Sequence, residues 1–359
     1  MRFRNRAVPD PTQSLRQSLQ AAEQLFASGD AAGAIELLSE ANRRNRDISL
    51  EQRLVDLRFD AFAATDWSTV ESVAPVVPPD EFPGVDIPEI AGSDLTVERV
   101  RSAVFNHGCC LVRGLVGDDQ VSVLVDDIDR ALAGYDASVG SGSVTPSPPW
   151  FVPFGGERGR LERKVRRDVG GVLAVDSPRA LLDVIEAFDA AGIRRVVGEF
   201  LGEQPAMLAK KWTLRRVPHD SRESGWHQDG AFMGGDIRSL NVWLSLSHCG
   251  DNAPGLDVVA RRLDAVVPTG TDGAWIDWTV GPGMVERVSE GAVVRPIFEA
   301  GDALIFDHLF LHRTAVDPGM TRARYAVEAW FLAPSTYGSM LGAAGGEGVA
   351  PRDQLPMLY

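Results

Sequence analysis

Cysteine is scarce in this sequence. Cys109, Cys110 and Cys249 are the only three in 359 residues, and they form no CxxC spacing. An odd count without a spaced pattern argues against a disulfide framework and fits a reducing compartment, so the cytoplasm is the expected location. Long apolar runs are missing too. No 18 apolar residues stand together, and the basic start MRFRNR leads into no apolar stretch of signal-peptide length, so neither a membrane span nor an export signal is expected. Basic residues are outnumbered, 36 against 50 acidic ones, for a formal charge of −14. That balance argues against nucleic acid or an anionic membrane as partner. Histidine is rare as well, with six in all, so each can be weighed singly.

What is present suits an ordinary globular chain, with 44% hydrophobic and 24% charged residues, long enough for a large β domain and a smaller companion. From Pro11 to Thr65 the period is helical. Leu15, Leu19, Ala22 and Phe26 fall on one face, Gly29-Asp30 breaks the pattern, and Ile35, Leu38 and Ala41, then Val55, Phe59 and Phe62, mark two further helices. The run from Gly29 through Ala34, Ile35, Leu38 and Ala41 resembles half of a tetratricopeptide repeat. A single such unit reads better as a helical cap than as a solenoid, though it leaves a protein partner through this segment open. Residues 11–70 are therefore taken as a helical segment and residues 71–94, with five prolines, as a linker. Residues 95–335 form the main domain and 336–359 a C-terminal tail. The main domain opens with a helix capped by Asp94 or Thr96 and closed by Gly108, followed by the strand CCLVRGLV. From Met207 onward, short apolar runs broken by Gly, Pro, Asn and Asp predict a mainly β sandwich or barrel.

Three segments carry candidate chemistry. In GWHQDG, His227 and Asp229 stand two apart, so an extended backbone puts both side chains on one side. GDALIFDHLFLHRT reads as one apolar strand bearing His308 and His312, both candidates for a third ligand. RARYAVEAWFLA places Arg322 and Arg324 on one face of a later strand, where a buried cation needs an anionic partner. Two imidazoles and one carboxylate make a facial triad that leaves positions open on ferrous iron. Lys211 and Thr213, just ahead of the His-x-Asp pair, are within reach of such a pocket. The basic run Arg158, Arg160, Arg163, Lys164, Arg166 and Arg167 reads as a solvated loop.

The His-x-Asp pair, the histidine after GDALIFD, the arginine that follows, NVWLSL and APGLDVVARR together resemble the phytanoyl-CoA dioxygenase family of iron(II)/2-oxoglutarate oxygenases, over roughly Leu95 to Pro334. The resemblance implies a double-stranded β-helix, also called a jelly roll or cupin-like fold, with supporting helices. It implies His227, Asp229 and His312 as iron ligands, His312 being preferred to His308 because Arg-Thr follows it. Arg324 becomes the anchor of the 2-oxoglutarate tail, with Thr314 beside it and Trp243 lining the pocket. The twelve residues from His312 to Arg324 are one more than the family pattern, which keeps Arg322 as a second candidate anchor. Implied co-reactants are Fe(II), 2-oxoglutarate and O2, with ascorbate as reductant. The implied reaction is hydroxylation of a small-molecule metabolite with release of succinate and CO2. Desaturation, cyclisation or epimerisation would use the same set. Related halogenases lack the carboxylate that Asp229 supplies. The contrary reading is a metal-free β-helix scaffold that only binds.

Overall fold

The computed structural model of the chain describes residues 11–70, 76–139, 145–156, 159–222, 224–234, 236–337 and 356–359. The alanine-rich period becomes α1 (Pro11–Ala27), α2 (Ala31–Arg44) and α3 (Ile48–Ala64). Asp30 and Asp47 cap the second and third, accepting from Gly33 N and Ser49 N. After the prolines come β1 (Glu89–Ala91), α4 (Val97–His107), β2 (Cys109–Arg113) and α5 (Asp118–Val139). Thr96 caps α4 and Gly108 closes it in the left-handed conformation, φ 96°, which a β-carbon disfavours. The strand inside the supposed linker was not expected; it pairs parallel with β2.

Next come α6 (Arg160–Asp168), β3 (Gly171–Leu173), α7 (Pro178–Ala190), α8 (Ile193–Leu201), β4 (Ala206–Met207), β5 (Thr213–Val217), the single turn α9 (Gly230–Met233) and β6 (Ser239–Ser245). The chain continues through β7 (Gly255–Val259), α10 (Pro282–Ser289), β8 (Val293–Val294), β9 (Ala303–Phe306), β10 (His312–Ala315), β11 (Arg324–Leu332) and β12 (Met357–Leu358). With ten α-helices beside twelve strands, the described chain is mixed rather than mainly β. The basic run is helix α6 and not a loop; its Arg158, like most of the expected tail, lies outside the described residues.

The strands form two sheets. The larger runs β1-β2-β9-β6-β11-β4-β12, with β5 also on β11 and β3 on β5; the smaller runs β10-β7-β8. Alternation sorts side chains between two cores. Cys110, Val112, Val242, Leu244, Ile305, Val327 and Ala329 face the helices, in one cluster with residues of α3, α4, α5, α7 and α8. Cys109, Leu111, Trp243, Leu304, Phe306 and Ala326 face the other way, against Leu256 and Val258 of the smaller sheet. Adjacent Cys109 and Cys110 thus diverge into separate cores, and all three cysteines are free and buried.

The stretch expected as one strand through His308 and His312 is two strands in different sheets. Asp307 makes the break: its Oδ1 accepts from Leu309 N, its backbone carbonyl accepts from Phe310 N at 3.2 Å, and Arg262 pairs with its Oδ2 at 2.6 Å. The chain therefore crosses from the larger to the smaller sheet between Phe306 and His312.

The N-terminal helices share the main core. Ala22, Ala34, Leu38, Leu50, Leu54 and Phe59 join the helix-side cluster. Arg179 pairs with buried Glu51 at 2.7 Å, and Arg58 donates to Leu358 O. No helix among the described residues is long and apolar enough to cross a membrane.

Helix α6 is pinned by a buried pair. Arg163 donates to both Asp176 oxygens, at 2.6 and 2.9 Å, and Asp176 also accepts from Phe154 N. Removing one member strands the other charge in the interior. Asp176→Ala is expected to lose about 3–5 kcal/mol of stability in urea unfolding; a loss under about 1 kcal/mol would show the pair to be incidental.

Candidate active site

His227 joins the smaller sheet through an isolated antiparallel bridge. His227 N donates to His312 O and His312 N to His227 O, both at 3.0 Å. This sets the two rings 4.5 Å apart between centroids. Asp229 is not on a strand, as the two-residue spacing suggested, but at the head of α9 with helical φ −63° and ψ −27°. Glycine is required next. Gly230 N donates to His308 O at 2.8 Å, and a β-carbon there would lie 2.7 Å from Val266 Cγ2 and 3.1 Å from His308 O.

His227, Asp229 and His312 offer ligand atoms that all lie within 4.8 Å of one another, the only such His/Cys/Asp/Glu group among the described residues. His227 Nδ1 lies 2.9 Å from Gly225 O and His312 Nδ1 3.0 Å from Phe310 O. Carbonyls only accept, so each Nδ1 carries the proton and each Nε2 keeps a lone pair. Burial lowers the affinity of both rings for a second proton, and with His227 beside it His312 is pushed down to about 3. Both rings are thus neutral at ordinary pH, the form a metal ligand requires. Asp229 is 1% exposed; its Oδ2 accepts from Asn241 Nδ2, while its Oδ1 has no hydrogen-bond partner among the described residues. Burial pushes this carboxyl well above its ordinary range, opposed by nearby Lys211. A dication at Oδ1 would reverse that shift. His308 is buried but belongs to the turn packed on Gly230 and is not part of the group.

A second set of unsatisfied polar atoms lies further along the same sheet. Arg324 opens β11 fully buried, with its Nη1 donating to Gly255 O at 2.9 Å and its Cζ 5.3 Å over the Trp243 ring. Its Nε and Nη2, and Trp243 Nε1, have no hydrogen-bond partner among the described residues. Burial lowers the Arg324 pKa to about 10, a cost that an anion would remove. Asn241, which holds Asp229, and Trp243, under Arg324, share one face of β6 and stand two residues or roughly 7 Å apart. Thr314 shares the inner face of β10 with His312, opposite Leu256. Arg322 is exposed ahead of β11, with its backbone N–H on Asn252 O at 3.1 Å. It is not brought to this pocket, because the strand that would have carried it inward begins two residues later.

Sequence reasoning passed over Asn241, Glu328 and Arg215. Asn241 was visible as the one amide in the mostly apolar NVWLSL. Glu328 and Arg215 face each other from β11 and β5, with Arg215 Nη2 donating to Glu328 Oε2 at 3.0 Å. Thr213 heads β5 in register with Glu328, while Lys211 lies in the turn before it.

No family model matches the sequence, and no curated protein sequence does. Solved structures do. EctD from S. alaskensis, determined with 2-oxoglutarate and 5-hydroxyectoine, aligns at a TM-score of 0.50 and 15% identity, over 72% of this chain and 81% of its own. EvdO2 from Micromonospora carbonacea var. aurantiaca aligns at 0.39 and 17%, over 63% and 86%. SnoN, described as a non-heme α-ketoglutarate-dependent epimerase of nogalamycin biosynthesis, aligns at 0.42 and 15%, over 66% and 82%. The likeness to EctD is one of fold.

Asn241 supports the carboxylate from behind, and losing such support weakens metal sites. Asn241→Ala is expected to raise the dissociation constant for Mn(II) by about ten- to a hundredfold in calorimetric titration. An unchanged constant would separate Asn241 from metal binding.

Proposed function

We propose that this chain is an iron(II)- and 2-oxoglutarate-dependent oxygenase, built on a double-stranded β-helix, that oxidises a carbon of a small molecule. One observation carries the reading: buried, unsatisfied atoms of opposite kind stand at two ends of one stretch of β6, beside Asn241 and over Trp243. At one end are two imidazole lone pairs and Asp229 Oδ1, the donor set that suits ferrous iron with three positions open. At the other are the free donors of Arg324 and Trp243, which suit a carboxylate. The spacing of Asn241 and Trp243, roughly 7 Å, fits a short dicarboxylate lying between the two ends. A metal-free scaffold would leave both ends uncompensated.

In this reading His227, Asp229 and His312 hold the ion. Arg324 receives the far carboxylate of 2-oxoglutarate through two parallel N–H donors, Thr314 stands beside it, and Trp243 fixes the guanidinium from below. Bound together, iron and 2-oxoglutarate supply oxidation of a substrate carbon by O2, with 2-oxoglutarate leaving as succinate and CO2. The chain orients and shields this chemistry. Phe306 and Phe310 pack on His312 at ring distances of 4.9 and 6.0 Å, which excludes water from that side. Hydroxylation is the simplest outcome; desaturation, cyclisation and epimerisation begin with the same removal of hydrogen. EctD, which shares the fold, was determined with 2-oxoglutarate, and this supports the choice of co-substrate. Residues 11–70 serve as a cap on the oxygenase domain, a role that their share in its core supports better than a partner platform.

Succinate formation across a metabolite panel, with ascorbate as reductant, tests the activity. Arg324→Lys replaces a fork by a point charge and is expected to raise the apparent KM for 2-oxoglutarate at least about tenfold, while Arg322→Lys leaves it unchanged. An effect at Arg322 alone would move the anchor, and no effect at either would remove it.

A further inference from the structure

The charge balance beside the metal-ligand group runs opposite to that of the whole chain. Lys211 Nζ lies 5.0 Å from the ring centroids of both Phe232 and Trp330, and the Phe232 ring lies 6.0 Å from that of His227. Arg166 of α6 approaches from the other side: a β-carbon on Gly171 would touch both its Cγ, at 3.5 Å, and Thr213 Cγ2. Thr213 in turn faces Glu328 in register. Neither the Lys211 ammonium nor the Arg166 guanidinium has a hydrogen bond or ion pair among the described residues.

The acidic groups nearby are already engaged. Glu328 is taken by Arg215, Glu162 pairs with Lys210 at 3.5 Å, and Asp229 belongs to the metal group. Burial and then the charge of Arg166 lower the proton affinity of Lys211, and burial and then Arg215 lower that of Arg166. Two half-buried cations that repel each other, Lys211 lying over two aromatic rings, therefore stand without an acidic partner among the described residues, in a protein of net charge −14. Such an arrangement attracts an anion. Phe232 and Trp278, 39% and 41% exposed, pack 5.2 Å apart and each about one ring's breadth from His227, so an apolar surface adjoins the cations.

We propose that Lys211 and Arg166 receive an oxyanion of the substrate, so that the molecule oxidised beside His227 is an organic acid or phosphate whose carbon body packs on Phe232 and Trp278. The inference rests on the oxygenase reading for the word substrate, but the anion site stands on its own residues.

The test is calorimetry under anaerobic conditions on protein saturated with Fe(II) and 2-oxoglutarate, with 3-phenylpropanoate, its neutral amide and phenyl phosphate as probes. Saturating 2-oxoglutarate keeps the acids from Arg324. The expected result is at least a tenfold preference for the acid over the amide, lost in Lys211→Gln and in Arg166→Gln, while both variants still bind iron and 2-oxoglutarate. Tighter binding of phenyl phosphate than of the acid assigns the group as phosphate; weaker binding assigns it as carboxylate. Equal binding of acid and amide, no binding of either anion at millimolar concentration, or a preference that survives both substitutions overturns the proposal. Failure of the oxygenase reading looks different: wild-type protein would not bind 2-oxoglutarate with iron, yet the acid and amide compared on metal-free protein would still separate, and Lys211→Gln would abolish that separation.

Discussion

A carboxylate 1% exposed, with one of its oxygens unbonded, is the constraint on which this structure turns. Left alone, Asp229 would take up a proton, because burial disfavours its charge more than nearby Lys211 and the Asn241 amide favour it. Everything around it keeps the carboxyl in place. Gly230 allows α9 to begin against the His308 carbonyl, the His227–His312 bridge sets two neutral rings beside it, and Asn241 holds its second oxygen. A dication would supply the missing compensation, and the tautomers forced by the Gly225 and Phe310 carbonyls leave both rings with a lone pair to share with it.

The same accounting applies along the sheet. Arg324 is fully buried with two donors unused, and Lys211 and Arg166 repeat the pattern on the side of Phe232. Arg324 with two unused donors and Asp229 with an unbonded oxygen, beside two cations that lack an acidic partner among the described residues, make an arrangement that groups from outside would complete. A static binding scaffold would have no physical reason to keep them. The two sheets make this tolerable, since their backbone ladders and the apolar contact of Trp243, Phe306 and Leu256 carry the folding energy independently of the polar groups.

Much of this was legible in the sequence where local chemistry decides. Helical period, the break at Gly29-Asp30, the Thr96 cap and the Gly108 stop lead directly to the observed helices. The His-x-Asp spacing, the second histidine and the buried arginine carried the site, through their resemblance to a family rather than through period alone. What was not legible depended on tertiary position. The break at Asp307 needs Arg262, 45 residues away in the chain, so one apparent strand became two. Arg322 and Arg324 have the same alternation, and only the start of β11 separates an exposed residue from a buried one. Asn241, Glu328 and Arg215 gain meaning only when β5, β6 and β11 are aligned. The helix Arg160–Asp168 and the strand Glu89–Ala91 were hidden by charge and by proline.

The central claim is that one pocket binds iron and 2-oxoglutarate together. Anaerobic titration of the protein with Fe(II) and 2-oxoglutarate, followed by visible absorption, tests it most directly, because chelation of the ion by the keto acid gives a weak charge-transfer band. The account predicts a band that needs both components, saturates at one iron per chain and vanishes in Asp229→Ala. No band, or one that persists unchanged in Asp229→Ala, would contradict it.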